Sequence, residues 1–275
     1  MILVTGATGN VGRNVVSQLI AAGQDVRAVT RDPATARFPE GIDVVTGDLR
    51  QPETLAAALD GVKQAFLFPL HGHLAPFLDT ARRSGLDLVV LLSSAAVTME
   101  HPNAIARAHL DSEHVVARTG LPWTFVRPGA FMANDLRWAP QIKAAGAVHA
   151  PYPDAATAPV DERDIAAVVV AALLGDGHAG HAYTLTGPES LTQVERVQFL
   201  AEALGRPVRF AEQTPENFRR TSGLPPHVAD GLLSLLAARV GTTAEVTGTV
   251  QAIAGRPPHS YRQWAARHVA EFTGP

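Results

Sequence analysis

Three glycines spaced by three, Gly6, Gly9 and Gly12, stand within the opening run MILVTGATGNVG. Ile2-Leu3-Val4 before them has the length and branching of a buried strand, and Val15, Val16, Leu19 and Ile20 after them recur at helical spacing. A strand that breaks through a glycine turn into a helix offers backbone N–H groups and a helix N-terminus, which together hold a pyrophosphate. Gly6 is expected to permit the turn, Gly9 the close approach of phosphate, and Gly12 the packing of helix on sheet. The pattern predicts dinucleotide binding through Gly6, Thr8, Gly9, Asn10, Val11 and Gly12. The plainer reading is a turn that only joins a strand to a helix.

Further residues of chemical interest stand at the carboxyl ends of later strands, where open α/β sheets bind ligands. The strand Asp25 to Arg31 ends in Thr30-Arg31, where an NAD-preferring fold would carry an acidic side chain. Arg31 can meet a 2′-phosphate with charge-assisted bonds, so NADP(H) is favoured over NAD(H). Asp32 more naturally caps the next turn. At the end of Ile42 to Thr46, Asp48 and Leu49 are placed to meet the adenine edge, with Asp48 alternatively capping a helix over Pro52 to Leu59. Gln64 to Phe68 runs into Pro69-Leu70-His71-Gly72-His73, which puts Phe68 and Pro69 beside a ligand. His71 and His73 lack a third metal-ligand candidate nearby, so no metal site is expected. Leu88 to Leu92, a continuous apolar run suited to a central parallel strand, ends in Ser93-Ser94. Those hydroxyls would lie beside a nicotinamide, with Ser94 either binding a substrate carbonyl oxygen or capping the next segment.

These residues need an alternation of strands and helices to bring them to one rim. Helical patterns at Leu74 to Ser84 and Ile105 to Thr119, then a strand Thr124 to Pro128, complete a doubly wound parallel order, and right-handed crossovers gather the strand ends. The second half is less regular. Ala147 to Thr157 reads as a loop near the site, and Ile165 to Leu174 as an Ala/Val helix with Asp161 or Asp164 at its cap. Thr192 and Glu195 have capping-box spacing at the start of a helix to Leu204, and Tyr261 to Phe272 reads as a closing helix. The expected fold is α/β: a doubly wound parallel sheet (Rossmann) over residues 1–150, and a smaller substrate-side α+β lobe over 151–275 interleaved with it.

At 275 residues and 46% hydrophobic, the chain can bury a large core. A net charge of −3 offers no basic footprint, which argues against nucleic acid. Cysteine is absent, which excludes disulfides, thiolate nucleophiles and zinc–thiolate sites. No apolar run has membrane-spanning length and the glycine-broken start does not read as a signal peptide, so the expected setting is cytoplasmic. The expected partner is a small apolar acceptor, with a homodimer as the assembly left open.

Taken in order, these motifs resemble the short-chain dehydrogenase/reductase superfamily, in particular its NmrA-like branch with quinone-oxidoreductase-like members. The resemblance rests on Thr5 to Gly12, Arg31, Gly47-Asp48-Leu49, Ser93-Ser94, Leu121 to Gly129 with Pro128 in it, Phe131-Met132-x-Asn134 and Gly255-Arg256-Pro257-Pro258. The superfamily implies a Tyr-x-x-x-Lys pair on the helix after the fifth strand. Here those places fall on Ile105 and His109, so the usual general acid is missing. His109 then stands as a group that could contact the cofactor ribose or donate a proton. The resemblance leaves two expectations. The first is an NADPH-dependent reductase of a flat conjugated acceptor such as a quinone, whose developing oxyanion is delocalised and needs no strong acid. Ser94 and His109 would serve it, with Phe131, Met132 and Tyr152 on the substrate side. The second is a non-catalytic NADP-binding regulator.

Overall fold

The protein is described here from a computed structural model covering residues 1–34, 36–39 and 41–273. The strands β1 (Ile2–Val4), β2 (Val26–Thr30), β3 (Asp43–Thr46), β4 (Gln64–Leu67), β5 (Leu88–Leu92) and β6 (Trp123–Pro128) alternate with α1 (Gly12–Ala21), α2 (Leu74–Arg83) and α3 (Ala104–Ala117). Beyond them come α4 (Ala139–Ala145), β7 (Ala147–Ala150), α5 (Glu162–Leu174), β8 (His181–Leu185), α6 (Gln193–Leu204) and β9 (Arg209–Glu212). The chain closes with α7 (Pro215–Thr221), α8 (Pro226–Ala237), α9 (Thr249–Ala254), α10 (Tyr261–Arg267) and α11 (Val269–Phe272). One sheet has the order β3-β2-β1-β4-β5-β6-β8 with every pairing parallel, and β7 and β9 form a separate parallel pair.

Side-chain alternation explains why the central strands are apolar without interruption. Ile2 and Val4 of β1, and Val90 and Leu92 of β5, face a core shared with α1 and α5. Leu3, Val89 and Leu91 face the opposite core, built with α2 and Val116 of α3. A strand buried on both faces has no solvent side to mark with polar residues. The strand order reverses direction on either side of β1, between β2 and β4, so the glycine turn after β1 opens at a topological switch point.

Residues beyond 150 divide their allegiance. α5 packs on α1, and β8 adds to the edge of the main sheet beside β6. The rest builds a lobe whose core joins Trp138, Ile142, Val197, Leu200, Tyr261, Trp264 and Phe272. Buried Arg196 donates from Nη1 to both Asp135 oxygens (2.9 and 2.7 Å), and the Tyr261 hydroxyl donates to Asp135 Oδ2 at 2.8 Å. Burial and the Asp135 carboxylate push the Tyr261 phenol well up, which keeps it a donor.

The lobe is tied down at the start of α5. Asp161 caps α5 and pairs with Arg267, while Asp164 receives Arg256 Nη1 and His259 Nδ1, both at 2.7 Å. Although Asp161, Asp164 and His259 converge as metal ligands would, both carboxylates already face arginines, so the cluster reads as an anchor. The Gly255 to Pro258 motif therefore serves lobe docking.

Several sequence expectations change here. Ala147–Ala150 is a strand because Arg209–Glu212 pairs with it from some sixty residues away, which no local pattern reveals. Pro52–Leu55 and Ala57–Leu59 are two short 3₁₀ turns instead of one helix. Arg27 Nη1 donates to the carbonyls of Ala57, Ala58 and Asp60 (3.3, 3.0 and 2.7 Å), which satisfies carbonyls at the end of the second turn. The closing helix breaks at His268 into α10 and α11. The Thr192–Glu195 capping box forms as expected.

Candidate active site

The glycine turn is built as its spacing predicts. Gly6 takes φ +59°, a left-handed conformation suited to glycine, and its carbonyl accepts the Gly9 N–H at 2.9 Å. A Cβ at Gly12 would stand 2.1 Å from the Gly6 oxygen, so the third glycine lets the turn close on itself as much as it lets helix meet sheet. No side chain caps α1 and no acidic residue stands in its first turn. Among the described residues, the amides of Asn10, Val11 and Gly12 find no protein acceptor. Uncapped amides at a helix N-terminus, in a cradle that Cβ atoms would fill, fit a pyrophosphate.

Along the rim, Arg31 is exposed at the end of β2 and makes no ion pair with another described residue. The Asp32 carboxylate accepts the Ala34 N–H at 3.1 Å, so it is engaged in its own turn. Asp48 likewise accepts the Arg50 N–H at 3.0 Å, while Leu49 is buried in the core. Thr5 bridges β1 to β4, its hydroxyl accepting the Phe68 N–H at 2.8 Å. Phe68 is 47% exposed and lies directly against Gly6.

Beyond Phe68 opens a cavity of about 860 Å³. Its floor is the carboxyl ends of β4, β5 and β6, and its roof is α8 with the strip 244–247. Phe68, Pro69, Ser93, Ser94, His109 and Phe131, all expected at the site, lie on its wall. Other expected residues do not. Met132 is fully buried in the lobe core with Trp138, because the 3₁₀ turn that follows Phe131 rotates it inward. Tyr152, at φ +58°, packs with Phe218 and Leu224 beneath α7 and α8. Pro128 is buried within β6, and the wall begins with Gly129.

The two serines have different partners. The Ser93 hydroxyl donates to Glu113 Oε1 at 2.5 Å, and Glu113 receives Arg127 through two bonds of 2.8 and 2.6 Å. Ser93 is therefore committed to a buried Ser–Glu–Arg network that holds the end of β5 against α3 and β6. Ser94 caps the short turn after it by accepting the Ala96 N–H at 3.2 Å. An accepting hydroxyl keeps its own proton free, so capping and donation to a ligand oxygen coexist in Ser94.

His109 lies edge-to-face with His71, ring centroids 4.7 Å apart. His71 Nδ1 is 3.0 Å from the Ser112 hydroxyl, which donates onward to the Ala108 carbonyl at 2.9 Å. Ser112 has one proton and has spent it, so Nδ1 of His71 carries the hydrogen. Burial lowers both imidazoles; in His109 the neighbouring His71 adds to the effect and brings it to about 4. His109 Nδ1 is buried without a partner, which leaves Nε2 as the polar atom toward the cavity. Neutral and with a free ring nitrogen, His109 can hydrogen-bond a ligand but holds no proton to spare at neutral pH. The burial that lowers it disfavours the imidazolium form that an acid role would use.

The sequence reading did not single out the α8 leucines, Arg239, or the role of Glu113 and Arg127. α8 carries Leu232, Leu233, Leu235 and Leu236, and nothing local in the sequence names the surface they cover. Arg127 lay in a recognised motif, and only the fold brings Glu113 to it.

A family model described as NAD(P)H-binding matches residues 6–176, which include the glycine turn, both serines, His109 and α5. The chain belongs to this NAD(P)H-binding family. It is similar to the (4-alkanoyl-5-oxo-2,5-dihydrofuran-3-yl)methyl phosphate reductase of Streptomyces griseus, at 44% identity over 99% of each chain. It is also similar to the NAD(P)H azoreductase of Xenophilus azovorans, at 36% identity over 99% of each. Among solved structures, the NADPH-dependent quinone oxidoreductase of Escherichia coli, complexed with NADPH, aligns with a TM-score of 0.82 and 26% identity. That alignment covers 97% of this chain and 99% of the other. This family member is an NAD(P)H-dependent oxidoreductase with a Rossmann-type parallel sheet and a smaller α+β region at its C-terminal side. Among the described residues, no helix is long and apolar enough to cross a membrane.

Proposed function

We propose that this protein reduces flat, apolar, conjugated carbonyl or quinone-type acceptors with NADPH, without a tyrosine–lysine pair. The observation that carries the reading is the character of the cavity wall beside the glycine turn. Phe68, Met99, Ile105, Phe131 and the α8 leucines give it broad apolar faces. Its polar lining (Ser94, His109, Asn134, Thr157, Thr184 and Thr186 among others) includes no tyrosine or lysine among the described residues. Such a wall suits an acceptor whose charge is delocalised as it forms. A simple ketone gives a localised alkoxide, for which a positioned acid is worth roughly 10²–10⁴-fold.

Bound at the turn, NADPH supplies the hydride. The residues proposed to hold it are Gly6, Thr8, Gly9, Asn10, Val11 and Gly12 at the pyrophosphate, Arg31 at the 2′-phosphate, and Asp48 and Leu49 near the adenine. Phe68, Pro69, Ser93, Pro128 and His109 are proposed toward the nicotinamide end, with Ser93 and Pro128 acting through the backbone shape they fix. Arg31, exposed where an NAD enzyme would place a carboxylate, supports NADPH over NADH.

Ser94 then donates its free proton as a hydrogen bond to the acceptor oxygen. His109 Nε2 offers a second polar contact, and with a pKa of about 4 it is protonated in only roughly one molecule per thousand at pH 7. The one proton that the reduction needs besides the hydride is taken from solvent after the hydride has moved, onto the delocalised oxyanion. Phe131 supports the ring on the substrate side. The names of the relatives are consistent with this chemistry: a quinone, an azo compound, and a dihydrofuranone whose ring double bond lies beside two carbonyl groups.

The test is a panel of quinones, enones and azo compounds mixed with purified protein and NADPH, followed by the loss of nicotinamide absorbance. Turnover of the conjugated members and not of saturated ketones is expected. Tight NADP binding with no turnover of any acceptor would replace this reading with that of a regulator.

A further inference from the structure

Arg239 follows α8 at the mouth of the cavity, and among the described residues no other lysine or arginine lines the wall. Its backbone is firmly held. Its N–H donates to the Leu236 carbonyl at 2.9 Å, and its own carbonyl accepts the Ala156 N–H at 3.2 Å and the Thr242 hydroxyl at 3.1 Å. An antiparallel bridge between Ala155 and Val240 fixes the next residue. The guanidinium on this fixed base makes no hydrogen bond or ion pair with a described residue. Glu245 lies on the same rim without pairing to it. Inward from Arg239 the roof is apolar, through Leu236, Leu235 and Leu232, and His109 on the wall is neutral.

A lone cation at the edge of a low-dielectric cavity is placed to select ligands by charge, since among the described residues it is the one lysine or arginine on the wall. We propose, resting on the reductase reading above, that Arg239 is a specificity-determining residue. It holds an anionic oxygen group, carboxylate or phosphate, that the acceptor carries at the mouth, while the conjugated ring lies inward under the α8 leucines. Glu245 limits this selection from the other side of the rim. The substrate class is thereby narrowed to amphiphilic acceptors with a flat apolar ring and an anionic arm.

Two matched pairs of acceptors test it. One is a naphthoquinone propionate against its methyl ester; the other is a naphthoquinone alkyl phosphate against its free alcohol. The readout is the ratio of KM for the charged member to KM for the neutral one. In Arg239→Ala that ratio should rise about tenfold, the scale of one hydrogen bond to a charged group, and in Glu245→Gln it should fall. A larger rise with the phosphate pair than with the carboxylate pair identifies the arm as phosphate, and the reverse identifies carboxylate. The same ratio taken from dissociation constants with NADP⁺-loaded protein decides the role of Arg239 even where no NADPH is consumed, which separates it from the reductase reading. An unchanged ratio in Arg239→Ala would overturn the proposal. So would a matching loss of NADPH affinity, which would assign the guanidinium to the cofactor.

Discussion

Replacing Gly12 with alanine places a single methyl where the turn and α1 meet. Its carbon would stand 2.1 Å from the Gly6 oxygen and 2.9 Å from the Ala7 Cα. Ordinary contact begins near 3.4 Å, so turn and helix must part by about 1.3 Å. A phosphate hydrogen bond of about 2.9 Å lengthened by that amount is no longer a hydrogen bond. Each such bond to a charged oxygen is worth about 1.5–3 kcal/mol, so the loss of one raises the Kd for NADPH about 10- to 100-fold. Overpacking also costs about 1–3 kcal/mol of stability, so the titration belongs well below the Tm of the variant. Gly9→Ala is the companion, because its Cβ would meet the Gly6 oxygen at 3.2 Å, which a shift of tenths of an ångström relieves. It should keep the fold and weaken NADPH binding by blocking the phosphate. Calorimetric titration of both variants gives the answer. A folded Gly12→Ala protein with the wild-type Kd would refute the reasoning, since the amides could then not depend on that close approach.

Arg31→Ala should weaken NADPH about tenfold while leaving NADH little changed; equal losses measured by titration would remove Arg31 from cofactor selection. Because His109 sits near 4 when folded and 6.5 when unfolded, the unfolded chain binds the extra proton between those values, and stability falls as pH drops through that window. Urea melts at neutral pH and at about pH 5 should therefore show a smaller loss for His109→Asn than for the wild type, with His71 titrating in both. For the same reason kcat/KM should have no His109 limb near neutrality, and one between pH 6 and 7 that vanished in His109→Asn would contradict the neutral imidazole. Glu113→Ala strands Arg127 and Ser93 without their carboxylate and should cost about 3 kcal/mol, or about 6–12 °C in Tm, by calorimetry. A change under about 2 °C would show that the network is dispensable.

The sheet was legible because its signals are local and repeated. β1, β5 and β6 are short apolar runs, α1 has one apolar face, and the turn between β1 and α1 needs glycine at Gly6 and Gly12 for reasons visible in the spacing. The same reasoning pointed to Phe68, Ser94 and Phe131, which follow the carboxyl ends of central strands and line one cavity; His109, within α3, was marked only by the family resemblance. It failed where the deciding contact is distant in sequence. Met132 follows Phe131 directly, and only the rotation of a 3₁₀ turn sends one to the cavity and the other to the core. Ser93 and Ser94 look equivalent until Glu113 claims the first. The lowered pKa of His109 depends on burial and on His71, neither of which a helix pattern records.

The polypeptide passes repeatedly between the sheet and the lobe: outward after β6, back at α5 and β8, outward again, and back once more at α9. Phe131 is bridged to Val160, and Thr157 to Leu191, across these passages. A cover stitched on by so many threads cannot swing like a door on one hinge. The roof is fastened too: the Ala244 N–H donates to Ser190 Oγ and the Thr247 N–H to Thr186 Oγ1, both at 2.9 Å, and Val240 is bridged to Ala155. The chamber is thus enclosed by fastened segments on every side where the chain crosses, and its shape is set before a ligand arrives.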